Sequence, residues 1–401
     1  MKNFYYVFIL ILVLSLISRL FSIHFYGDTH VDNEWGVILS NLENYGILGY
    51  REESGVVFPT IYTPPLYPFF LYTIKIFFTD QVFFIKTVLH VQMVLSLISI
   101  YFFYEVLKKM FSEIISLIGI LIFSLYPLNV YAVSQISSIT LQVFFIVLFF
   151  LSLMNYLSNP NLIRLFAFSI ISSALIYLRG EFFIIYFLTL LYIYVRTKKF
   201  KVIIVSFLIA LLFTSPYLIR NYNTFNVITI TKSSGYNLWR GNHFNAKVEG
   251  NQYHDNEMIE KVKNIQPSKN YDLDLDEMYM QEAIKNIKGN PSYYIKLYFK
   301  KVFSFVFIDL NSTYENYYSY LNILPKIIIS ILTLLGVLLL TKKENILVYY
   351  SLYYFFNIFL FSLFFILPRY SLMLLPIQII LTCYLIKKLK KYLTYDNKKI
   401  N

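Results

Sequence analysis

Long apolar segments separated by short polar turns fill most of the sequence. A helix needs about 20 consecutive apolar residues to cross the hydrocarbon core of a bilayer. Segments near that length recur along the chain, and we predict about ten membrane-spanning helices from them. They lie at residues 5–25, 82–107, 114–133, 140–157, 162–178, 182–195, 202–218, 323–340, 346–367 and 371–386. The pattern therefore predicts an all-α polytopic membrane protein, a helical bundle with small loops and helices at its outer face.

Composition agrees with this class. Of the 401 residues, 57% are hydrophobic and 14% are charged, whereas a soluble protein carries about 25% charged residues. The net charge is +12, but in a membrane protein the distribution of Lys and Arg is more informative than their sum. We expect the lipid bilayer, and no nucleic acid, among the partners.

The basic residues predict an orientation. If the predicted spans alternate in direction, the basic turns all fall on one side, which the positive-inside rule assigns to the cytoplasm. These turns contain Lys108, Lys109, Arg164, Arg196, Lys198, Lys199, Lys201, Lys342, Lys343, Lys387, Lys388, Lys390 and Lys391. Both termini are then cytoplasmic, and the protein is a multi-pass protein of the cell (inner) membrane.

This topology divides the chain into three parts. Residues 1–218 form an N-terminal transmembrane module that includes a first outer loop at 26–81, and residues 219–322 form an outer region. Residues 323–401 hold the C-terminal transmembrane helices and a basic cytoplasmic tail. In the outer region we predict an amphipathic helix over 275–287 and an interfacial helix over 293–308, with the lysines of the second turned to lipid headgroups.

The first outer loop has two parts. Apolar residues at helical spacing predict a short helix, with Asp32 at its N-cap position and Gly46 after its end. They are Trp35, Ile38, Leu39, Leu42 and Tyr45. Prolines at positions 59, 64, 65 and 68 then predict an extended, stiff path back to the membrane, where residues 66–78 are expected to lie in the interface.

Ionisable residues gather near the outer ends of the predicted spans. Because charged groups near lipid depth are costly and usually face a cavity or a partner, they point to a site at the outer membrane surface. The set is Arg19, Asp28, Asp32, Glu34, Arg179, Glu181, Arg220 and Arg369. Arg19, inside the first span, is expected to snorkel.

Six short motifs, in order along the chain, resemble those of the GT-C superfamily of membrane glycosyltransferases. The closest likeness is to glycosyltransferase family 39, the protein O-mannosyltransferases and aminoarabinose transferase-like enzymes, with its bacterial relatives. The motifs are Asp32-x-Glu34-Trp35, Leu178-Arg179-Gly180-Glu181, Pro216-Tyr217-x-x-Arg220-Asn221, Asn237-Leu238-x-x-Gly241-Asn242-His243, Asn290-Pro291 followed by Lys300, and Pro368-Arg369-Tyr370.

The resemblance implies a GT-C bundle that moves a sugar from a polyprenyl-phosphate donor to a lipid, glycan or protein acceptor, with inversion. Such a donor already carries a good leaving group, so the reaction needs a base for the acceptor and cations for the phosphate. Asp32 is the expected base, with Glu34 as substitute, although Asp32 would cap a helix in any case. The implied donor-phosphate ligands are Arg179, Arg220 and Arg369, each of which could instead anchor the fold. The implied substrate-binding residues are Asp28, Tyr67, Asn242, His243 and Tyr370.

Three positions depart from the family pattern. Ile139 stands where relatives often have an acid, Gly180 replaces a turn proline, and His243 replaces an asparagine. No Gly-rich phosphate loop, Cys/His cluster or nucleophile elbow is present in the sequence. We expect no cofactor and assign no metal ligand, while a divalent metal stays open. An O-antigen ligase or polymerase and a transporter or flippase are the alternative functions.

Overall fold

The computed structural model describes residues 2–31, 34–53, 56–250, 256–309, 311–312, 319–341 and 343–400. Helices dominate, and their bounds are α1 Lys2–Tyr26, α2 Glu34–Tyr45, α3 Leu66–Lys75, α4 Gln81–Lys108, α5 Glu113–Leu125, α6 Pro127–Tyr131, α7 Ile139–Ser158, α8 Leu162–Leu178, α9 Phe182–Thr197, α10 Phe200–Phe225, α11 Ser234–Asn242, α12 Asn256–Lys263, α13 Tyr271–Gly289, α14 Pro291–Val306, α15 Tyr320–Leu338, α16 Asn345–Ser362 and α17 Leu375–Ile400. Short 3₁₀ helices cover Ala132–Ser134 and Pro368–Leu374.

Among these residues, seven helices are long and apolar enough to cross a membrane. They are Phe4–Tyr26, Gln81–Lys108, Ile139–Ser158, Phe200–Phe225, Tyr320–Leu338, Asn345–Ser362 and Pro368–Leu393. The bent pair Glu113–Leu125 and Pro127–Ser134 makes an eighth if it is one span, and α8 and α9 are shorter apolar helices. The all-α polytopic class is confirmed. A count of ten requires the bent pair and both shorter helices to cross, and it stays a prediction.

The first outer loop contains one element that the sequence did not predict. Strands β1 (Gly49–Glu53) and β2 (Val56–Pro59) pair antiparallel as a hairpin. The preceding helix α2 agrees with the prediction, and Gly46 follows it at φ +67°, a left-handed conformation that favours glycine. Asp32, predicted to cap this helix, lies outside the described residues.

The predicted snorkelling of Arg19 is wrong. Its side chain is fully buried between α1, α4 and α5. Nε donates to Ser96 Oγ at 3.0 Å, and Nη1 donates to Ser124 O at 2.9 Å. Ser124 precedes the 55° bend between α5 and α6, where backbone carbonyls need donors from elsewhere in the protein. Arg19 therefore stabilises a helix break rather than reaching for the membrane surface.

Pro127 contributes to the same bend between α5 and α6. Pro127 has no N–H to donate to Phe123 O, four residues earlier, and Asn129 Nδ2 donates to that oxygen instead, at 2.9 Å. The chain beyond the break reaches Ser134, whose carbonyl accepts from Asp28 N at 2.9 Å. Through this bend the membrane bundle fixes the start of the first outer loop.

Several basic turns meet at one end of the bundle, which we call the basic end. Lys387 Nζ donates to Met110 O at 3.3 Å, joining α17 to the turn after α4. Lys388 pairs with Glu344 at 3.1 Å, joining α17 to the turn before α16. The first outer loop and α11–α14 lie at the opposite end, which we call the site end.

Helices α11 and α13 pack together at the site end. The amphipathic helix predicted over 275–287 is confirmed by α13, whose Tyr279 and Ala283 are buried with Trp239 of α11. Asp276 Oδ1 accepts from the Tyr236 N–H at 3.0 Å. It thus provides a hydrogen-bond acceptor for a backbone N–H in the first turn of α11. A β-carbon at Gly235 would overlap the Asp276 carbonyl, so the two helices approach closely.

The predicted boundary at residue 218 falls inside α10, which runs on to Phe225.

Candidate functional site

Polar side chains from separate parts of the chain converge at the site end in a group that we call the arginine–tyrosine cluster. They come from the start of α2, the stretch before α3, helix α11, and the segment between α16 and α17. The cluster consists of Glu34, Tyr62, Tyr236, Arg240, Arg369 and Tyr370. A glutamate, two arginines and three phenols thus share one region.

Glu34 is the acid of this cluster. Its side chain is partly open to solvent, but the surrounding protein desolvates the carboxylate and raises its pKa above the ordinary value. The positive charges of Arg369 and Arg240 act in the opposite direction. A carboxylate with a raised pKa near cations has the properties of a general base for a hydroxyl or amine.

Arg240 and Arg369 are not paired with an anion among the residues that the structure describes. Arg369 is exposed and its guanidinium lies 5.9 Å from the centre of the Tyr370 ring. Arg240 stacks 4.3 Å from the Phe365 ring centre, and its buried Nε has no hydrogen-bond partner in the part of the chain that the structure describes. Neither arginine forms an ion pair with any described residue. The guanidinium groups of both arginines are therefore open to an anionic ligand.

The tyrosines form the wall of the cluster. The rings of Tyr62 and Tyr236 meet edge to face with their centres 5.8 Å apart. Burial raises the pKa of Tyr62 well above its usual value, and the nearby phenols and Glu34 add to the effect. Tyr62 therefore stays a neutral phenol that can donate or accept a hydrogen bond.

A buried lysine fixes the segments that carry the two arginines. Lys301 of α14 donates from Nζ to Gly241 O at 2.7 Å, Asn242 Oδ1 at 3.1 Å and Phe364 O at 2.5 Å. We call these four residues the Lys301 junction. Burial lowers the pKa of Lys301 to about 7, while three acceptors match the three N–H bonds of its charged form. The junction ties α11 to the chain that leads to Arg369.

Arg179 also lies next to Tyr370. Its Nε donates to Glu181 Oε1 at 2.6 Å, and its guanidinium lies 4.8 Å from the Phe361 ring centre and 5.0 Å from that of Tyr370. Arg179 is thus paired with a carboxylate, unlike Arg240 and Arg369, and it lies against two neighbouring aromatic rings.

A cavity of about 560 Å³ opens beside Arg179, and we call it the apolar groove. Its long wall consists of apolar side chains of α8, α9 and α10, and Phe207 and Leu211 in that wall are also exposed on the bundle surface. Its polar end holds Arg179, Glu181, Thr231, Ser233, Asn237 and Tyr370. An amphiphile with a long apolar chain and a polar head matches this distribution.

A smaller cavity of about 200 Å³ links Asp28 to Arg369, which both line it. Asp28 Oδ2 accepts from the Ile136 N–H at 2.6 Å. Desolvation raises the pKa of Asp28, and this hydrogen bond opposes the rise. Of the residues predicted from sequence, the structure thus brings Asp28, Glu34, Arg179, Arg369 and Tyr370 into one connected region.

Two predicted residues are held in contacts within the protein. Tyr67 is 1% exposed and donates from its hydroxyl to Gln92 Oε1 at 3.1 Å. Arg220 donates from Nη1 to Thr60 O at 2.8 Å and from Nη2 to Leu48 O at 3.3 Å, so its guanidinium supports the hairpin. These contacts account for the burial of Tyr67 and the partial burial of Arg220, and the binding roles of both residues stay predictions.

Asn242 and His243 are likewise buried. Asn242 Nδ2 donates to Leu238 O and Leu363 O, both at 2.8 Å. The His243 ring packs against Trp239 with centres 5.2 Å apart, and its Nδ1 accepts from Asn245 N at 3.1 Å. Both support α11, and their substrate roles are also still predictions.

Sequence reasoning missed Arg240, Tyr62 and Tyr236. Arg240 lies inside one of the motifs quoted above, directly before Gly241, and a lone charge on a short aromatic helix was the available signal. Tyr62 and Tyr236 carried no such signal, because tyrosine is common throughout this chain.

The acids and histidines do not gather as a metal site. Within the described ranges, no group of three His, Cys, Asp or Glu side chains lies close enough to hold a metal ion. Asp32 is outside those ranges, so this finding does not include it.

Comparison with known proteins does not assign a family. No protein-family model matches the chain, and no curated protein matches it significantly. Any assignment of function therefore depends on the residues and on the geometry of the arginine–tyrosine cluster and the apolar groove.

Proposed function

We propose that the protein is a glycosyltransferase that moves a sugar from a polyprenyl-phosphate donor to a lipid, glycan or protein acceptor. The observation that carries the proposal is the apolar groove, which runs from a surface of the bundle to Arg179 and Tyr370 beside the arginine–tyrosine cluster. An isoprenoid chain matches the groove wall. Tyr370 belongs to both the groove and the arginine–tyrosine cluster, and Arg240 and Arg369 of that cluster supply positive charge for the phosphate.

The chemistry of such a donor accounts for the cluster. The phosphate leaves with its bonding electrons. The guanidinium groups of Arg240 and Arg369 can neutralise the negative charge that develops on it. A carboxylate, Glu34 or Asp32, takes the proton from the acceptor hydroxyl or amine as it attacks the anomeric carbon. Attack from the face opposite the phosphate inverts that carbon. Arg179 is not assigned to the phosphate, because its ion pair with Glu181 leaves its guanidinium less free to bind one.

The orientation of the protein belongs to the same proposal. The basic end faces the cytoplasm, because Lys and Arg accumulate in cytoplasmic loops. The site end then faces outward from the cell (inner) membrane, where lipid-linked sugars are transferred to envelope acceptors. Both termini are cytoplasmic in this arrangement.

Reporter fusions test that orientation. Fusions after Lys109, Lys199 and Lys343 should report the cytoplasm, and fusions after Tyr50 and Asn251 should report the outside. A fusion after residue 311 asks whether α14 crosses, and it should also report the outside. A cytoplasmic signal there, or the same signal on both sides of any proposed span, would contradict this topology.

Substitutions in the groove test donor binding without knowledge of the sugar. Leu211 lines the groove, whereas its neighbour Leu212 is 66% exposed and does not line it. Leu211→Trp should weaken binding of undecaprenyl phosphate by about 5- to 150-fold, because overpacking costs about 1–3 kcal/mol and 1.4 kcal/mol is tenfold. Leu212→Trp is the matched control and should bind normally.

Isothermal titration in detergent measures these affinities, with undecaprenol as a probe that lacks the phosphate. Undecaprenol should bind more weakly than its phosphate. Equal binding of both, or normal binding by Leu211→Trp, would contradict the assignment of the groove. Mass analysis of envelope lipids and glycans with and without the gene then identifies the sugar and the acceptor.

A further inference from the structure

Helix α14 presents an apolar and basic face that no other described element covers. Ile295, Phe299 and Phe303 follow one another at four-residue spacing and are 58%, 61% and 56% exposed. Lys296 and Lys300 lie beside them and are also exposed. Such a combination is typical of a helix that lies against lipid headgroups.

A large open cleft runs along this face. It has a volume of about 960 Å³ and lies between α14 and residues 246–248. Lys296, Lys300, Phe299 and Phe303 line it, with Asp309 near one end. The Asp309 carboxylate accepts from the Asn311 N–H at 3.0 Å, whereas Lys296 and Lys300 have no hydrogen bond or ion pair with any residue that the structure describes. The cleft is therefore net basic and open to an anion.

Contacts with two candidate spans set the depth of α14. Tyr298 donates from its hydroxyl to Phe359 O at 3.3 Å, near the end of α16. The Phe305 and Phe361 rings stack with centres 6.0 Å apart, and Ser330, midway along α15, donates to Val306 O. The part of α14 that carries Lys296 and Lys300 therefore lies at the level where α16 ends, near the headgroup layer of the bilayer, and the last residues of α14 lie deeper along α15.

We propose that the α14 cleft binds an anionic phospholipid of the surrounding bilayer. The lipid phosphate lies near Lys296 and Lys300, and the acyl chains run along Phe299 and Phe303. Charge complementarity decides the lipid class, because lysines near a membrane surface favour anionic over zwitterionic headgroups. The site is separate from the arginine–tyrosine cluster, since Lys301 of the junction lies on the buried face of α14.

Native mass spectrometry of the full chain in neutral detergent tests the proposal, with dioleoylphosphatidylglycerol as the probe. Wild-type protein should bind this lipid more tightly than dioleoylphosphatidylcholine. The double variant Lys296→Gln/Lys300→Gln should bind it about 30-fold more weakly, from roughly fivefold per lysine. The matched control is Lys263→Gln/Lys288→Gln, which removes the same charge from exposed positions on α12 and α13, and it should bind as wild type does.

Several outcomes would overturn the proposal. They are equal binding of the two lipids by wild-type protein, unchanged binding by the double variant, or an equal loss in the control pair. Binding of glycerol phosphate, at the concentration that saturates the lipid site, would show an anion site that does not use the acyl chains. The comparison of lipids on wild-type protein decides the matter even if the double variant fails to fold.

Discussion

Replacing Glu34 by glutamine is expected to lower the rate of sugar transfer by about 10²-fold or more, because an amide cannot accept the acceptor's proton. Glu34 lies in the field of Arg240 and Arg369, and desolvation raises its pKa. Only the ionised form acts as a base, so the wild-type rate should fall as pH falls through that raised pKa. The measurement is transfer from a lipid-phosphate donor at constant protein concentration, over a range of pH.

Two further variants make this result interpretable. Glu43 is exposed on the same helix and away from the cluster, so Glu43→Gln should keep full activity. Asp32→Asn asks whether the neighbouring acid is the base, as the sequence motif implies; asparagine caps a helix about as well as aspartate, so folding should be normal. Loss in only one of Glu34→Gln and Asp32→Asn identifies the base. Full activity in both would contradict a carboxylate base in this loop.

The membrane helices could be predicted because their signal is local. Apolar segments of sufficient length identify α1, α4, α7 and α10 without knowledge of their neighbours. Helix α2 was similarly predictable from its apolar stripe and the glycine that follows it. The hairpin after α2 was not, because residues 49–59 mix charged and apolar residues without a clear alternation.

Burial of a polar side chain, in contrast, depends on partners far away in the sequence. Arg19 contacts Ser96 and Ser124, which are 77 and 105 positions away. The sequence therefore gave no reason to expect burial, and snorkelling was the natural prediction. Tyr67 and Arg220 also contact residues that are not their neighbours in the sequence, Gln92 at 25 positions and Thr60 at 160, and the same explanation holds for them.

The candidate site was predictable only in part for the same reason. Asp28, Glu34, Arg179 and Arg369 stood out as charges near span ends, and the fold does gather them. Arg240 lies with them because α11 packs on α13 and is held to the segment after α16 through Lys301. Neither contact can be recognised from the sequence around Arg240.

The Lys301 junction should be as sensitive to substitution as the cluster that it positions. A β-carbon at Gly241 would overlap the Phe364 carbonyl oxygen and lie 2.8 Å from Phe365 N. Because these are backbone atoms, α11 and the segment after α16 must move apart by about 1 Å to relieve the overlap. That movement would shift Arg240 relative to Arg369 and Tyr370, and a misplacement of this size can lower a rate by about 10²-fold.

Gly241→Ala is therefore expected to lower sugar transfer by about 10²-fold and to reduce the free energy of unfolding by about 1–3 kcal/mol, as overpacking does. Gly289→Ala is the matched control, since nothing lies within 4 Å of an added β-carbon there. Alanine at that end of α13 should leave transfer unchanged and keep or slightly raise stability. Transfer rate and thermal unfolding in detergent are measured on both variants. Normal transfer by Gly241→Ala would mean that the arginines need no fixed spacing, and the junction would then be structural alone.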